Sequence, residues 1–333
     1  MAVYKTEHGF QIKHRSSDPS NPIEGEIWYN TTLQKLKLTP KISAWSAGGA
    51  LNTSRSQLAG AGIQTAGLAW GGTVSGSTAP SETNGAKTEE YNGTSWTNVN
   101  DKSNKKRQQS GLGIQTAALD YGGYADPAGY QDSSEEYDGT SWTAGGDYLV
   151  NYSNGVGSGC GTLTAAFNYG GYTPDTSLNS SAEYNGTSWT AGNNSPYACE
   201  NTSQTGTQTA ALGWGGNNPP AVTTAVEYDG TNFSVVNSTP VATIQVGSSG
   251  IQTAAHIFGG FMGTAHGATT HEYDGTNWST SVSVGTGRHA PANTGTSSVT
   301  DGFFAGGDVS ETTTYTATEE FSRAVTVRTA DTT

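Results

Sequence analysis

The sequence predicts an all-β fold, and three observations carry the prediction. Glycine accounts for 46 of 333 residues, as many as Leu, Ile, Val and Phe together, so large aliphatics are too scarce for an ordinary core. The chain nevertheless holds 8 Trp, 16 Tyr and 8 Phe, aromatics that disordered acidic chains lack. Only 13% of residues are charged; Gly, Thr, Ser and Asn supply the polarity, which suits short strands joined by turns and disfavours helices.

A repeat then sets the architecture. Gly-Gly pairs begin at Gly71, Gly122, Gly170, Gly215, Gly259 and Gly306, at spacings of 51, 48, 45, 44 and 47 residues. A Thr stands six residues before each pair. Downstream comes an acid followed by an aromatic, in Glu90-Tyr91, Glu136-Tyr137, Glu183-Tyr184, Glu227-Tyr228, Glu272-Tyr273 and Glu320-Phe321. Five residues after the first five of these aromatics lies another, in Trp96, Trp142, Trp189, Phe233 and Trp278, always past an Asn-Gly or Asp-Gly. Units of about 40 to 50 residues with short strands match four-stranded propeller blades, so a six-bladed β-propeller is expected over residues 42–322.

The second copy shows how the elements follow. Strand A is expected over Gln108–Gly113, strand B over Ala117–Gly123, strand C over Ser134–Tyr137 and strand D over Ser141–Ala144. Asp138-Gly139 reads as a two-residue type I′ hairpin turn. Alternation in strand B sends Ala117, Leu119 and Tyr121 to one face and Ala118 and Asp120 to the other. Trp70, Tyr121, Tyr169, Trp214 and Phe258 then recur on one side, where aromatic faces can bury area between blades.

Counting also locates the last strand. Each strand-D aromatic precedes the next Gly-Gly by 26 or 28 residues, and Trp45 precedes Gly71 by 26. Trp45 therefore occupies a strand-D position, while the copy ending at Phe321 lacks one. Residues 42–47 are expected to close the ring against that last copy, which removes exposed sheet edges. The tail, 323–333, competes for the same place.

Residues 1–41 form no repeat unit. Residues 1–45 carry net charge +2 while the remainder carries −15, and the turn-rich DPSNP interrupts them. They read as an extended N-terminal arm that orders on a partner or against the side of the propeller, with Trp28 and Tyr29 as its anchors. The acidic balance, −13 overall, argues against nucleic acid as a partner. No apolar run is long enough for a membrane span, and the N-terminus lacks an apolar signal core. Cys160 and Cys199 occupy non-equivalent repeat positions and read as free thiols.

The pattern of Gly-Gly, then Glu-Tyr-[Asn or Asp]-Gly, then Trp, repeated across about 42 to 322, resembles the kelch-type propeller repeat. The basic residue that kelch repeats carry before strand A is matched by Arg55, Lys106 or Arg107, and Arg288. The text AGGALNTSRSQLAGAGIQTAGLAWGG, with TEEYNGTSWT after it and DPSNPIEGEIWYNTTLQKLKL before it, is similar to kelch-like structural proteins of tailed bacteriophages of marine cyanobacteria. That resemblance implies a virion component of the tail, fibre or particle surface, assembled in the host cytoplasm in multiple copies.

A fold of this kind carries no function by itself, so sites must. Acids present in every copy serve what every copy shares, and the six strand-C glutamates read as structural, bonded to backbone or solvated. His256, His266 and His271 lie within 16 residues and break the repeat, yet packing explains His256 and a loop holds His266. No metal and no cofactor are expected. Neither cysteine has a histidine near it in sequence, which disfavours a nucleophile. The cluster Lys102, Lys105, Lys106 and Arg107 reads as a solvated loop.

Variation within the chain is more telling. The segments after each Gly-Gly share little sequence, and antiparallel order places these B–C loops on one face, opposite the monotonous C–D turns. Recognition is expected on the variable face, with Tyr124, Tyr130, Tyr172, Phe261 and Tyr315 as aromatic anchors. The expected function is a non-enzymatic phage structural protein that docks other virion proteins through its arm and meets a host surface glycan or protein with its loops. A glycan-binding or glycan-modifying propeller enzyme and a kelch-type adaptor are the alternatives.

Overall fold

The computed structural model describes residues 12–74, 84–153, 159–218, 220–262, 265–295, 299–310 and 313–330. Parts of the expected arm (1–11), of the first variable loop (75–83) and of the tail (331–333) lie outside them. The chain divides into two compact units, Met1–Ala44 with Ser322–Thr333, and Trp45–Phe321.

The larger unit is all-β and propeller-like. Among the described residues its strands form antiparallel four-stranded sheets, taken here in chain order with strands A to D. The first holds Ala59–Ile63, Ala66–Trp70, Thr88–Tyr91 and Trp96–Asn98, and the second Ser110–Ile114, Ala117–Tyr121, Ser134–Tyr137 and Trp142–Ala144. The third holds Cys160–Thr162, Ala165–Tyr169, Ser181–Tyr184 and Trp189–Ala191, and the fourth Ser203–Thr207, Ala210–Trp214, Ala225–Tyr228 and Phe233–Val236. The fifth holds Gly247–Ile251, Ala254–Phe258, Thr270–Tyr273 and Trp278–Ser281. In the sixth, Ala292–Asn293, Phe303–Ala305 and Thr318–Val325 are followed by Lys41–Ala47 as the fourth strand. Residues 318–325 thus lengthen strand C, and the N-terminal segment occupies the place that the tail was expected to contest.

Aromatic rings fill the space that aliphatics would fill elsewhere. Trp70, Tyr121, Tyr169, Trp214 and Phe258 end strand B in successive sheets and are at most 1% exposed. Each packs on the strand-D aromatic of the next sheet: Trp70 on Trp142 at 5.3 Å between centroids, Tyr121 on Trp189 at 4.7 Å, Tyr169 on Phe233 at 5.4 Å and Trp214 on Trp278 at 5.8 Å. Phe258 packs on Trp45 at 4.7 Å, so Trp45 stands where the count placed it. Strand B is covered on both faces, since Ala118, Leu119, Asp120 and Tyr121 are all fully buried.

Polar joints run parallel to this packing. Tyr137 donates its phenol hydrogen to Glu90 at 2.8 Å, Tyr228 to Glu183 at 2.7 Å and Tyr273 to Glu227 at 3.1 Å, each to the sheet before. Tyr184 donates to Glu136 and Tyr91 to Glu320 in the same way. The repeated glutamates are therefore structural as expected, but through the neighbour's phenol and not through backbone or solvent. In the sixth sheet Phe321 has no hydroxyl; there Glu272 lies 3.6 Å from His256 Nε2, and His256 packs edge-on to Phe321 at 4.5 Å. Indole N–H groups add a second joint, from Trp142 to Thr88 at 3.0 Å, Trp96 to Thr318 at 2.9 Å and Trp45 to Thr270 at 3.1 Å.

Two expectations need correction. Tyr137 pairs with Trp142, so Asp138–Ser141 is a four-residue loop and no type I′ turn. Only Gly139 is left-handed there, at φ 89°; Asp138 instead accepts the backbone N–H groups of Thr140 and Ser141 at 2.8 Å each. An Asx side chain can close a turn in this way without a positive φ of its own. The basic cluster, second, is not a solvated loop throughout. Lys102 and Lys106 are buried, 2.8 and 2.9 Å from Asp120 Oδ2, because a carboxylate at full burial needs cationic partners. Arg55 with Glu89 makes a comparable buried pair at 2.7 Å, and buried Arg288 meets half-buried Glu319 at 3.0 Å.

The smaller unit holds a sheet of its own. Lys13–Arg15 runs parallel to Ile27–Asn30, which pairs antiparallel with Lys35–Leu38, and Arg328–Thr329 completes the order. Trp28 has no exposed surface and donates its indole hydrogen to Asp18 at 3.3 Å. Of the two expected anchors only Tyr29, half-buried beside His14, presents surface. No helix among the described residues is long and apolar enough to cross a membrane.

Candidate functional site

Beyond each Gly-Gly pair the A–B ladder continues by one rung. The rungs pair Ser56 with Thr73, Arg107 with Tyr124, Ser153 with Tyr172, Glu200 with Asn217, Ile244 with Phe261 and His289 with Asp308. Backbone geometry repeats while side chains do not. Each sheet thus carries a different chemical pair at one equivalent place, on the face of the variable loops.

Two residues separate each rung from strand A, and the first of them is left-handed without being glycine. Gln57, Gln108, Asn201, Gln245 and Ala290 take φ of 58°, 54°, 56°, 52° and 54°. The counterpart in the third sheet falls outside the described residues. Only Asn tolerates this region well, and such strain persists where surrounding structure over-determines it. What over-determines it is a chain of hydrogen bonds between neighbouring copies: Gln108 N–H to Gln57 O at 3.1 Å, Gln57 N–H to Ala290 O at 2.8 Å and Ala290 N–H to Gln245 O at 3.1 Å. The Gln245 side chain also donates to Asn201 Oδ1 at 3.1 Å.

Three of the five expected aromatic anchors converge here. Tyr130 lies on a two-residue hairpin strand, Gly129–Tyr130, that pairs with Tyr124–Ala125. Its ring stands edge-on to Tyr124 at 5.4 Å and to Tyr172 at 5.9 Å. Burial, then the Tyr172 phenol and the Glu200 carboxylate, push the Tyr130 phenol above its ordinary value, so it remains a neutral donor. Arg107 covers Tyr124 at 4.8 Å and donates to Gln57 Oε1 at 3.2 Å. Phe261 and Tyr315 have other neighbours: Phe261 meets His266 at 5.7 Å, and Tyr315 lies 5.5 Å from the Arg288 guanidinium.

A cavity of about 470 Å³ opens beside these rings. Tyr130 and Tyr172 form its aromatic wall, and Gln108, Asn201, Ser153, Ser177 and Glu200 supply polar groups. The size lies within the range of small-molecule sites. Glu200 is held by the Asn217 amide at 2.9 Å.

The candidate histidines do not act together. His256 serves the Glu272 joint, and His271 is 3% exposed, with neither ring nitrogen hydrogen-bonded. His266 stacks on His289 at 4.7 Å with their Nδ1 atoms 3.0 Å apart, and His289 Nδ1 is 2.8 Å from Asp308 Oδ1. Among the described residues no group of three or more His, Cys, Asp or Glu could hold a metal ion. Both cysteines are free and buried, and burial pushes the Cys160 and Cys199 thiols up, the latter to about 12.

Sequence reasoning missed the rung and its left-handed neighbour. The available signal was the residue directly after Gly-Gly, which reads Thr73, Tyr124, Tyr172, Asn217, Phe261 and Asp308, changing type where its surroundings stay constant. No protein-family model matches the sequence, and no curated protein matches it. The solved structure of YjhT is similar in fold, with a TM-score of 0.68 at 12% identity, covering 84% of this chain and 99% of that one.

Proposed function

We propose that this protein is a non-enzymatic structural and adhesion component of a tailed-phage particle, built as a closed six-bladed kelch-type disc. Closure is supported by the joints between the first and sixth sheets: Tyr91 to Glu320, Trp96 to Thr318, and Gln57 N–H to Ala290 O. Strand A of the first sheet also lies against strand A of both the second and the sixth.

The observation that carries the functional reading is a division of labour along the repeat. Recurring polar groups join the sheets: five phenols reach glutamates of the sheet before, and the indoles of Trp45, Trp96 and Trp142 reach a threonine of the neighbouring sheet. Groups that vary stand at the rungs and in the loops beyond them. A rigid disc with one chemically individual face suits contact with an outside surface, and many copies on a particle would add avidity to weak contacts. The N-terminal unit supplies attachment to other virion proteins.

Fab fragments raised against the disc test this on purified particles. Labelling of intact particles and block of host adsorption by Fabs that map to residues 124–132 or 172–178 are expected. Unlabelled particles, or adsorption unaffected by bound Fab, would overturn the adhesive role. Deleting residues 1–40 should abolish incorporation while leaving a soluble disc.

A further inference from the structure

We infer that the cavity between Tyr130, Tyr172 and Glu200 is a binding site for a neutral saccharide; the inference rests on the reading of the loop face as the adhesive one. The cavity combines two half-buried phenol rings with amides, hydroxyls and a single carboxylate. Aromatic faces match the C–H faces of a pyranose ring, and the amides of Gln108 and Asn201 can each donate and accept, as a sugar hydroxyl requires.

Charge narrows the class. Among the described residues no cationic side chain lines the cavity. The nearest rung cation, Arg107, is already placed over Tyr124 and bonded to Gln57. An anionic ligand, whether a phosphate or an acidic sugar, would meet Glu200 without a counter-charge, in a chain of net charge −13. A purely apolar ligand would leave the amides and the carboxylate desolvated and unpaired. A neutral polyhydroxylated ring satisfies both requirements.

Backbone strain supports pre-organisation. Gln108 and Asn201, the two amides of the wall, are left-handed at φ 54° and 56° and are fixed by bonds to neighbouring copies. The Asn201 amide, whose Oδ1 accepts the Gln245 side chain, is therefore set before a ligand arrives, which lowers the ordering cost of binding. Tyr172 is fixed likewise by its two backbone bonds with Ser153, at 2.7 and 2.9 Å.

The test is titration of the full chain with maltotriose, cellotriose and triacetylchitotriose, with sialyllactose as the anionic control, followed by saturation-transfer NMR and calorimetry. At least one neutral trisaccharide should bind below about 10 mM, and sialyllactose more weakly. Tyr172→Ala should weaken binding about tenfold or more, Tyr172→Trp should keep it, and Val235→Ala, at an exposed position of an outer strand, should leave it unchanged. Unchanged thermal melting of Tyr172→Ala separates lost contact from lost fold. Absence of binding by all three neutral sugars, equal binding by Tyr172→Ala, or a preference for sialyllactose would overturn the inference. The Fab experiment reads the adhesive face independently: adsorption blocked by Fab with no sugar bound sinks the saccharide site alone.

Discussion

Tyr91 donates its phenol hydrogen to the carboxylate of Glu320, 229 residues further along the chain. The bond repeats what Tyr137 makes with Glu90, so the first and last sheets meet by the same chemistry as consecutive ones. A hydrogen bond to a charged acceptor contributes about 1.5–3 kcal/mol. Tyr91→Phe should lower stability in urea by that amount, and by as much as Tyr137→Phe. A negligible effect for Tyr91→Phe alone would mean that the end joint is not made in solution.

The phenol joints also predict a limit at high pH. Burial first, then the hydrogen bond to a carboxylate, raise Tyr91, Tyr184 and Tyr273 to about 12 from an ordinary 10. A folded value above the unfolded one adds stability that is complete below pH 10 and lost as pH rises through 12. Base titration should therefore show unfolding coupled to phenolate absorbance at 295 nm.

Trp45 should be a pillar of the larger unit despite lying outside the Gly-Gly repeats. It packs on Phe258, Phe304 and Phe321 at 4.7, 6.4 and 5.2 Å. Trp45→Ala is expected to cost about 3 kcal/mol or more, whereas deletion of residues 1–40 should leave the melting temperature of the larger unit nearly unchanged. Equal tolerance of both changes would show that the N-terminal strand does not complete the sixth sheet.

Asp120 holds two buried lysines and the Trp70 indole, which donates to it at 2.9 Å. Burial alone would raise its carboxyl, but Lys102 and Lys106 outweigh that and hold it low; burial in turn pulls Lys102 down to about 8. Asp120→Asn leaves uncompensated ammonium groups and should cost about 3–5 kcal/mol, with a change in Trp fluorescence. Lys105→Met, at an exposed position, should be silent in the same denaturation assay.

Acid should weaken the fifth sheet and the B–C loop that it carries. Burial, then the neighbouring His289, lower His266 below 6.5, and burial lowers His271. The unfolded chain then binds protons that the folded one refuses, so stability falls as pH drops through and below 6.5. Melting temperatures measured between pH 7.5 and 5.5 should decline in the wild type and decline less in His266→Gln/His271→Leu. Parallel slopes would remove the histidines from the account.

The repeat, the strand order within each copy, the aromatic packing positions and the strand-D place of Trp45 are legible in the order of residues. All of these follow from spacing, and a β-ladder converts spacing directly into place. The partners of the polar groups emerge only on folding. Lys102 and Lys106 read as a solvated run until Asp120, on another strand, is seen buried between them. Asp138 reads as half of a tight turn until its carboxylate is seen accepting two N–H groups. The left-handed Gln57, Gln108, Gln245 and Ala290 leave no local mark, because their conformation is imposed by hydrogen bonds from neighbouring copies and not by their own preference. Propensity is a property of a residue; strain and charge pairing belong to its surroundings, and these exist only once the chain has folded.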